Sequence, residues 1–418
     1  MLKTYPLKMM MTSRIRIMKT TINLIIRSIP MENQYYSHLI QRGITMEVKC
    51  ELITPIFIGC GEEYSQLDYF IEDGLAHIID LEKAVSDLDD LEKVDYISGL
   101  IVSNIDNNRL NLTAKDILES VGLNPYDYVI RKIESEIFSN KKTRVKKFIN
   151  QNNTYYIPGS SIKGAIRTAY IFNYYDKNLP ELLKILDDRN IKLHDKGKEL
   201  EKNAISKDIP KDFFKYLKIS DSLNLEGEFK FIHTKRWNYR KKKFDVPINM
   251  EGMTKGTFSI NIKIEDEFFK NINKRLKTNY NPKDDEKKFD ILKNLCNNFS
   301  KTVVEFELKK NNPVYVEKSY EKLLADINKD DAIYLNLGFG GGFLNKTVYP
   351  LLWKNDENHL YFRKIKSLFI ALSGGNKNLK NAWLKANSYL DFPTTKTVYV
   401  KNNSAIAPLG WIKMTLVE

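Results

Sequence analysis

Two serines, two cations and a free helix end are written into residues 157–168, Ile-Pro-Gly-Ser-Ser-Ile-Lys-Gly-Ala-Ile-Arg-Thr. Pro158-Gly159 predicts a turn, because proline fixes φ and glycine tolerates positive φ. Ser160 or Ser161 is then placed to cap a helix that runs on through Tyr170. Ile162, Ile166 and Ala169 recur at helical spacing and should face a core, while Lys163 and Arg167, four residues apart, share another face. Backbone N–H groups, hydroxyls and two cations that converge on one helix N-terminus make an anion site, most simply one for phosphate. The competing reading is a capped surface helix with two solvated basic residues. A nucleotide-hydrolysing P-loop is excluded by spelling, since Gly164 is followed by Ala165 where that loop needs lysine and then serine or threonine.

Three more segments carry residues of the same kind. Residues 233–244, His-Thr-Lys-Arg-Trp-Asn-Tyr-Arg-Lys-Lys-Lys-Phe, read as a basic loop. Lys235, Arg236 and Arg240 interleave there with Trp237, Tyr239 and Phe244, which suits single-stranded nucleic acid: phosphates meet cations while bases stack on rings. A charged loop with its aromatics turned inward fits the same residues. Gly338, Gly340, Gly341 and Gly342 put four glycines in five residues, a loop that lets backbone N–H groups approach a polyanion, with Lys346 and Thr347 directly after it. Phe343 stands where a dinucleotide fingerprint would have its last glycine, and a purely structural turn is the alternative. Gly59 and Gly61 likewise allow a backbone loop to come close to a ligand or to another part of the chain.

The elements that must position these residues begin at Met46, where Val48, Cys50 and Leu52 alternate with Lys49 and Glu51 as in a half-buried strand. A hairpin follows, Tyr69 to Ile71 and Ala76 to Ile79 around a turn at Glu72-Asp73-Gly74. Helical patterns occupy 81–104 and 112–121, and a run rich in Lys141, Lys142, Arg144, Lys146 and Lys147 feeds a short strand at 154–157. Residues 177–216 read as helical, charged cover. A second alternating block starts near Phe229, and Thr257 to Ile264 is a clean strand. Helices are predicted over 282–300 and 314–328, and strands over 397–400 and 410–413.

The chain has 418 residues, 42% hydrophobic and 11% aromatic, enough to fill real cores, and a net charge of +13. That balance points to a polyanionic partner, nucleic acid before an anionic membrane surface. Cys50, Cys60 and Cys296 form no CxxC and are read as buried, reduced thiols of a cytoplasmic protein. His38, His77, His194, His233 and His359 are scattered, so no metal site and no cofactor are expected. No apolar run reaches the roughly twenty residues needed to span a bilayer. Residues 1–45 hold a single acid, Glu32, among many basic residues and methionines; a flexible basic extension, or a start assigned upstream of the real one, is the expectation.

With these segments in view the chain resembles the RAMP-superfamily proteins of CRISPR systems, and most of all the family of fifth Csm subunits of type III-A effector complexes. The resemblance rests on ITPIFIGCGEEYSQLDYFIEDG, YYIPGSSIKGAIRTA, LKISDS at 217–222, GFGGGFLNKT and PLGWIKM, in that order from residue 46 to 418. It implies an α+β fold of two ferredoxin-like, RRM-related domains, 46–222 and 223–418, with helices packed on antiparallel sheets. It also implies a noncatalytic RNA-binding subunit that holds and caps the 3′ region of the guide RNA. The expected partners are that RNA, the neighbouring Csm subunits, above all the backbone RAMP subunit, and host nucleases that trim the guide 3′ end. By position, Gly59 and Gly61 correspond to the first glycine loop, Ser160, Ser161, Lys163 and Arg167 to the phosphate-gripping helix, and Gly338 to Gly342 to the glycine-rich loop.

Three alternatives stay open at this stage. The backbone subunit of the same complexes cleaves target RNA and shares the helix motif, but there the motif follows the first glycine loop far sooner; Asp68 lies near where it places its catalytic acid. A repeat-cleaving endoribonuclease would want a placed histidine, and His77 shows no partner. A scaffold that contacts only protein is the third.

Overall fold

The structure, a computed structural model, describes residues 45–106, 112–137, 144–206, 208–329, 331–356 and 360–417. The expected extension at 1–45 lies outside these residues apart from Thr45, as do Lys141 and Lys142. The chain opens with β1 (Met46–Leu52), β2 (Gly59–Tyr64) and the hairpin of β3 (Tyr69–Glu72) and β4 (Leu75–Ile79). A small helical group follows, α1 (Leu81–Ser86), α2 (Leu91–Asp106) and α3 (Ala114–Ser120), and then β5 (Val129–Ser135) and β6 (Val145–Phe148). β7 (Asn150–Gln151) and β8 (Thr154–Tyr155) precede α4 (Gly159–Lys177), α5 (Leu179–Asp187) and α6 (Lys196–Ala204). β9 (Leu217–Ile219), β10 (Leu223–Asn238) and β11 (Lys243–Ile264) lead to α7 (Asp266–Leu276), α8 (Asp285–Leu308) and α9 (Val314–Lys329). The chain closes with β12 (Ile333–Asn336), α10 (Tyr349–Asn355), α11 (Leu360–Leu372), α12 (Lys377–Leu384), β13 (Thr395–Lys401), β14 (Ser404–Pro408) and β15 (Trp411–Leu416).

Alternation makes the central strands. β1 buries Met46, Val48 and Cys50 and exposes the residues between them, so one face must find a core. It lies between two strands far away in sequence, antiparallel to β11 with Val48 opposite Ile260 and to β15 with Cys50 opposite Met414. Thirteen of the described strands form one sheet whose main path runs β12-β15-β1-β11-β10-β5-β4-β3, and β7 and β8 pair separately. Pairing is antiparallel except where β5 joins β10 and β6 joins β11. The architecture is therefore α+β, as expected, with helices laid on antiparallel strands. Strands from both sides of residue 222 share this sheet.

Two helices cover the centre. α4 buries Ile162, Ile166 and Ala169, the stripe that its spacing predicted, together with Tyr170, and runs on through Tyr170 to Lys177. α8 buries Phe289, Leu292, Cys296, Phe299, Val303 and Phe306 along one stripe, each large side chain contributing about 1.5–3 kcal/mol by its burial. Asn173 ties the two helices, donating to the Leu295 carbonyl at 2.8 Å. The predicted helix at 81–104 divides into α1 and α2, because the α1 C-cap Asp87 closes the first helix on the Lys83 carbonyl.

A buried carboxylate fastens the strands at one end of the sheet. Glu251 on β11 is fully buried and accepts from Arg131 of β5 at 2.9 Å and from the Phe148 N–H of β6 at 2.9 Å. The Tyr155 hydroxyl of β8 donates to it as well. Burial raises the Glu251 carboxyl above the usual carboxylate range, while the Arg131 charge acts to lower it. Glu251→Ala should cost about 3–5 kcal/mol, because it leaves the Arg131 guanidinium without its counter-charge. Urea unfolding measures this, and Glu251→Gln, which keeps an acceptor, should lose less.

Candidate nucleic-acid interface

The α4 N-terminus is built differently from the sequence expectation. Neither Ser160 nor Ser161 caps it: the N-cap is Pro158, without a side-chain cap, and both serines lie inside the first turn. Asp221 takes the capping role from 62 residues downstream, accepting from the Gly159 N–H at 2.8 Å. It can reach because Gly159 lies flat against the carbonyls of Ile219 and Ser220, where any Cβ would collide. Ser222 completes the joint, its Oγ accepting from the Ile157 N–H at 2.9 Å. A carboxylate thus already sits at the positive end of the helix. The N-terminus alone is not an open phosphate grip.

The two cations of this helix part company. Arg167 donates from Nε to Glu201 at 2.6 Å and from Nη1 to Asp212 at 2.8 Å, with its guanidinium carbon 5.1 Å from the centre of the Phe214 ring. It binds α4 to α6 and to the Asp212 turn, so its expected place on RNA gives way to a structural one. Lys163 is half-buried and, among the described residues, has no hydrogen-bond or ion-pair partner. Burial holds it below the ordinary lysine range, opposed by Asp212 and reinforced by Arg167 and Lys218. That environment favours an incoming anion.

The glycine-rich loop faces its own chain as much as the outside. Gly338, at φ +71°, lies against the Phe57 carbonyl, which accepts from the Phe339 N–H at 2.8 Å. Gly340 and Gly341 are buried, and Lys396 donates to the Gly341 carbonyl at 3.1 Å. Gly342 and Lys346 are exposed. A Cβ at Gly59 would strike the Phe57 ring, whereas one at Gly61, at φ +94°, would meet open space. The two glycine segments, far apart in sequence, are therefore neighbours joined through Phe57.

Residues 233–244 are not a loop. They are the ends of β10 and β11 around a four-residue turn, with Trp237 opposite Phe244. Trp237 is fixed edge-on to Phe244, and its Nε1 donates to the Asn311 carbonyl at 2.8 Å. Tyr239 is buried. Lys235 reaches Asn403 at 3.2 Å, and Arg240 pairs with Asp391 at 3.2 Å. The stacking role expected of Trp237 gives way to packing, while Arg236, Lys241, Lys242 and Lys243 are exposed.

The remaining candidates are structural. Glu62 and Glu63 of β2 pair with Lys147 at 3.1 Å and Lys146 at 2.8 Å, which neutralises those two lysines of the basic run. Cys60 is exposed, against the expectation of three buried thiols, because β2 is solvent-facing until Tyr64. Asp68 closes the turn before β3, accepting from Ser65 N–H at 2.6 Å. His77 is buried and stacked on Phe70 at 4.6 Å, and burial first of all lowers its pKa. Among the described residues no cluster of three or more His, Cys, Asp or Glu could hold a metal, and no helix is long and apolar enough to cross a membrane.

What the structure brings together beside the glycine loop is one exposed cation without a carboxylate partner among the described residues, Lys346, and two paired ones, Arg167 with Glu201 and Asp212 and Lys396 with Glu307. Lys346 and Arg167 line one cavity of about 470 Å³, and β13 places Lys396 opposite Trp237 on the hairpin. Sequence reasoning missed the acids Asp221, Glu201 and Asp212, which decide which motif cations stay available. Only the acid inside LKISDS was a visible hint. Arg167→Ala should therefore lower stability by about 1–3 kcal/mol, and Lys163→Ala by about 0.5 kcal/mol or less, in paired thermal unfolding measurements. Gly338→Ala should destabilise more than either, since the Phe57 backbone blocks a Cβ there.

Comparison with known proteins finds a family and relatives of similar fold. The RAMP superfamily family model matches residues 49–345. The CRISPR system Cms protein Csm5 from each of two strains of Mycobacterium tuberculosis is 23% identical over 240 residues, covering 50% of this chain and 64% of the relative, so the chain spans less than two thirds of the length of these relatives. A chain from the cryo-EM structure of a Csm–crRNA–target RNA ternary complex of a type III-A CRISPR–Cas system superposes with a TM-score of 0.64 at 20% identity, covering 89% of this chain and 100% of that one. The crystal structure of T. onnurineus Csm5 gives 0.56 at 19% identity, covering 87% and 99%. These two likenesses concern the fold. The family match runs from the first strand through the glycine-rich loop, well over half of the chain, and the protein belongs to the RAMP superfamily.

Proposed function

We propose that the protein is a noncatalytic RNA-binding subunit of a type III-A CRISPR effector complex, and that it holds and caps the 3′ region of the guide RNA. The observation that carries this reading is the ridge of exposed cations on the β10–β11 hairpin. Among the described residues the side chains of Arg236, Lys241, Lys242 and Lys243 have no carboxylate partner, on a chain of net charge +13. Lys163 and Lys346 extend the same unpaired charge beyond the hairpin. The likeness to Csm5 proteins supports the choice of complex. Other Csm subunits, the backbone RAMP subunit first, are the proposed neighbours, and nucleases that trim the guide 3′ end would meet the protein there. Asp68 and His77 are held by folding contacts, so cleavage is assigned to neither.

Titration of labelled single-stranded RNA at several salt concentrations tests the reading. Neutralising about five phosphates gives a log–log slope of about −3 to −4, at about −0.7 per contact for single strands. A flat salt dependence would overturn it. Arg236→Ala and Lys163→Ala should weaken binding to all sequences alike, because phosphate contacts carry no base information. Guide and target RNAs should remain intact with or without Mg²⁺; cleavage lost in Asp68→Ala or His77→Ala would replace this reading with a nuclease.

A further inference from the structure

We propose that the cavity between the β10–β11 turn, the end of α8 and residues 390–394 is an oxyanion site for a phosphate group, with Lys310, Arg240 and Lys309 as its cations. The cavity holds about 210 Å³, and Tyr239, Arg240, Lys309, Lys310, Asp391 and Thr394 line it. A tetrahedral oxyanion fits together with a few waters at about 30 Å³ each. It lies at the turn of the basic hairpin whose exposed cations are proposed to meet RNA.

The charges around this cavity do not cancel. Lys396 pairs with Glu307 at 2.6 Å, both almost wholly buried, and Arg240 pairs with Asp391 at 3.2 Å. The second Glu307 oxygen accepts from the Tyr239 hydroxyl at 2.7 Å. Both carboxylates are thereby occupied. Lys310, 7% exposed, has no ion pair among the described residues. Its ammonium donates to the Pro393 carbonyl at 2.6 Å and lies 4.3 Å from the centre of the Tyr239 ring. An ammonium has three protons, so one is left for an incoming acceptor. Lys309 is exposed at the rim and adds a further positive charge.

The α8 dipole opposes an anion at this end, but Asn312 already covers the Glu307 carbonyl at 2.6 Å. Lys310, Arg240 and Lys309 against the Asp391 carboxylate and that partial charge leave the balance positive. Burial, with Lys396 and Arg240 as like charges and Glu307 and Asp391 opposing them, brings the Lys310 pKa down to about 7. A bound oxyanion supplies the missing counter-charge and raises that pKa, so binding takes up a proton and weakens as pH climbs past 7. Arg240 presents a planar fork suited to phosphate oxygens.

The oxyanion site stands on these side chains; RNA as the bearer of the phosphate rests on the proposed function. The test compares the thermal midpoint of the full chain in inorganic phosphate with that in sodium chloride of equal ionic strength. At pH 6.5 phosphate should raise the midpoint of the wild type, and Lys310→Met should weaken the apparent affinity at least tenfold. Lys310→Arg, which stays charged, should keep the response at pH 8.5 where the wild type has lost it. Lys309→Met and Arg240→Gln should each weaken it several-fold, which keeps the test alive if the Lys310→Met protein does not fold. No phosphate-specific rise in the wild type, or an equal response in all variants, overturns the proposal. RNA with a 3′-phosphate binding several-fold more tightly than its 3′-hydroxyl counterpart identifies a terminal group. Equal affinities that both fall in Lys309→Met identify an internal linkage. A protein that responds to phosphate but binds no RNA defeats the RNA reading and leaves the oxyanion site standing.

Discussion

Three backbone segments drawn from opposite ends of the chain meet around Phe57. Its carbonyl accepts from Phe339, the Pro55 carbonyl accepts from Gly410 at 2.8 Å, and the Leu337 N–H donates to Gly410 at 2.7 Å. Backbones that close leave no room for a side chain, and Gly338 and Gly410 both sit at positive φ where a Cβ would strike a carbonyl. The contact fixes where β1, β12 and β15 lie side by side, and through them the rest of the sheet. Three of the segments that carry the family resemblance turn out to be one knot of main-chain hydrogen bonds. Glycine is required there first by the protein's own chain.

The same economy governs the second pair of resembling segments. Gly159 begins α4 against the end of β9, where no side chain would fit, and that contact delivers Asp221 to its N–H. An acid at this position stabilises the helix end and at the same time removes it as an open phosphate site. Arg167 is diverted in a similar way by Glu201 and Asp212. Motif cations therefore fall into two groups. Those next to acids brought in from elsewhere hold the fold, and those left on the hairpin and at Lys163 keep their charge for a partner.

Buried charge has a further consequence in the second half of the chain. Glu307 and Lys396 are fully desolvated, yet their mutual attraction holds Lys396 above the ordinary lysine range despite the burial that would lower it. Such a pair adds little net stability, because desolvation offsets most of the Coulomb gain, but it fixes position. Lys396 props the Gly341 carbonyl while Glu307 orients Tyr239. The glycine-rich loop and the basic hairpin are in this way set on one rigid support.

Local patterns determined much of this protein. The alternation at Met46–Leu52, the helical stripe Ile162, Ile166 and Ala169, the Tyr69–Ile79 hairpin and the α+β class could all be read from spacing, since each depends on which face of one element is apolar. The resemblance carried the superfamily. Tertiary structure decided which candidate residues remain available to a ligand. The basic stretch at 233–244 is a hairpin in which β10 pairs with β11 on one side and β13 on the other, and the Asn311 carbonyl fixes Trp237. Ser160 and Ser161 lost the cap to Asp221, Arg167 was claimed by acids 34 and 45 residues away, and Lys310 was stranded beside carboxylates already in use. Spacing records what neighbours on one helix or strand can do; a cation's freedom depends on acids that only folding brings within a few ångströms.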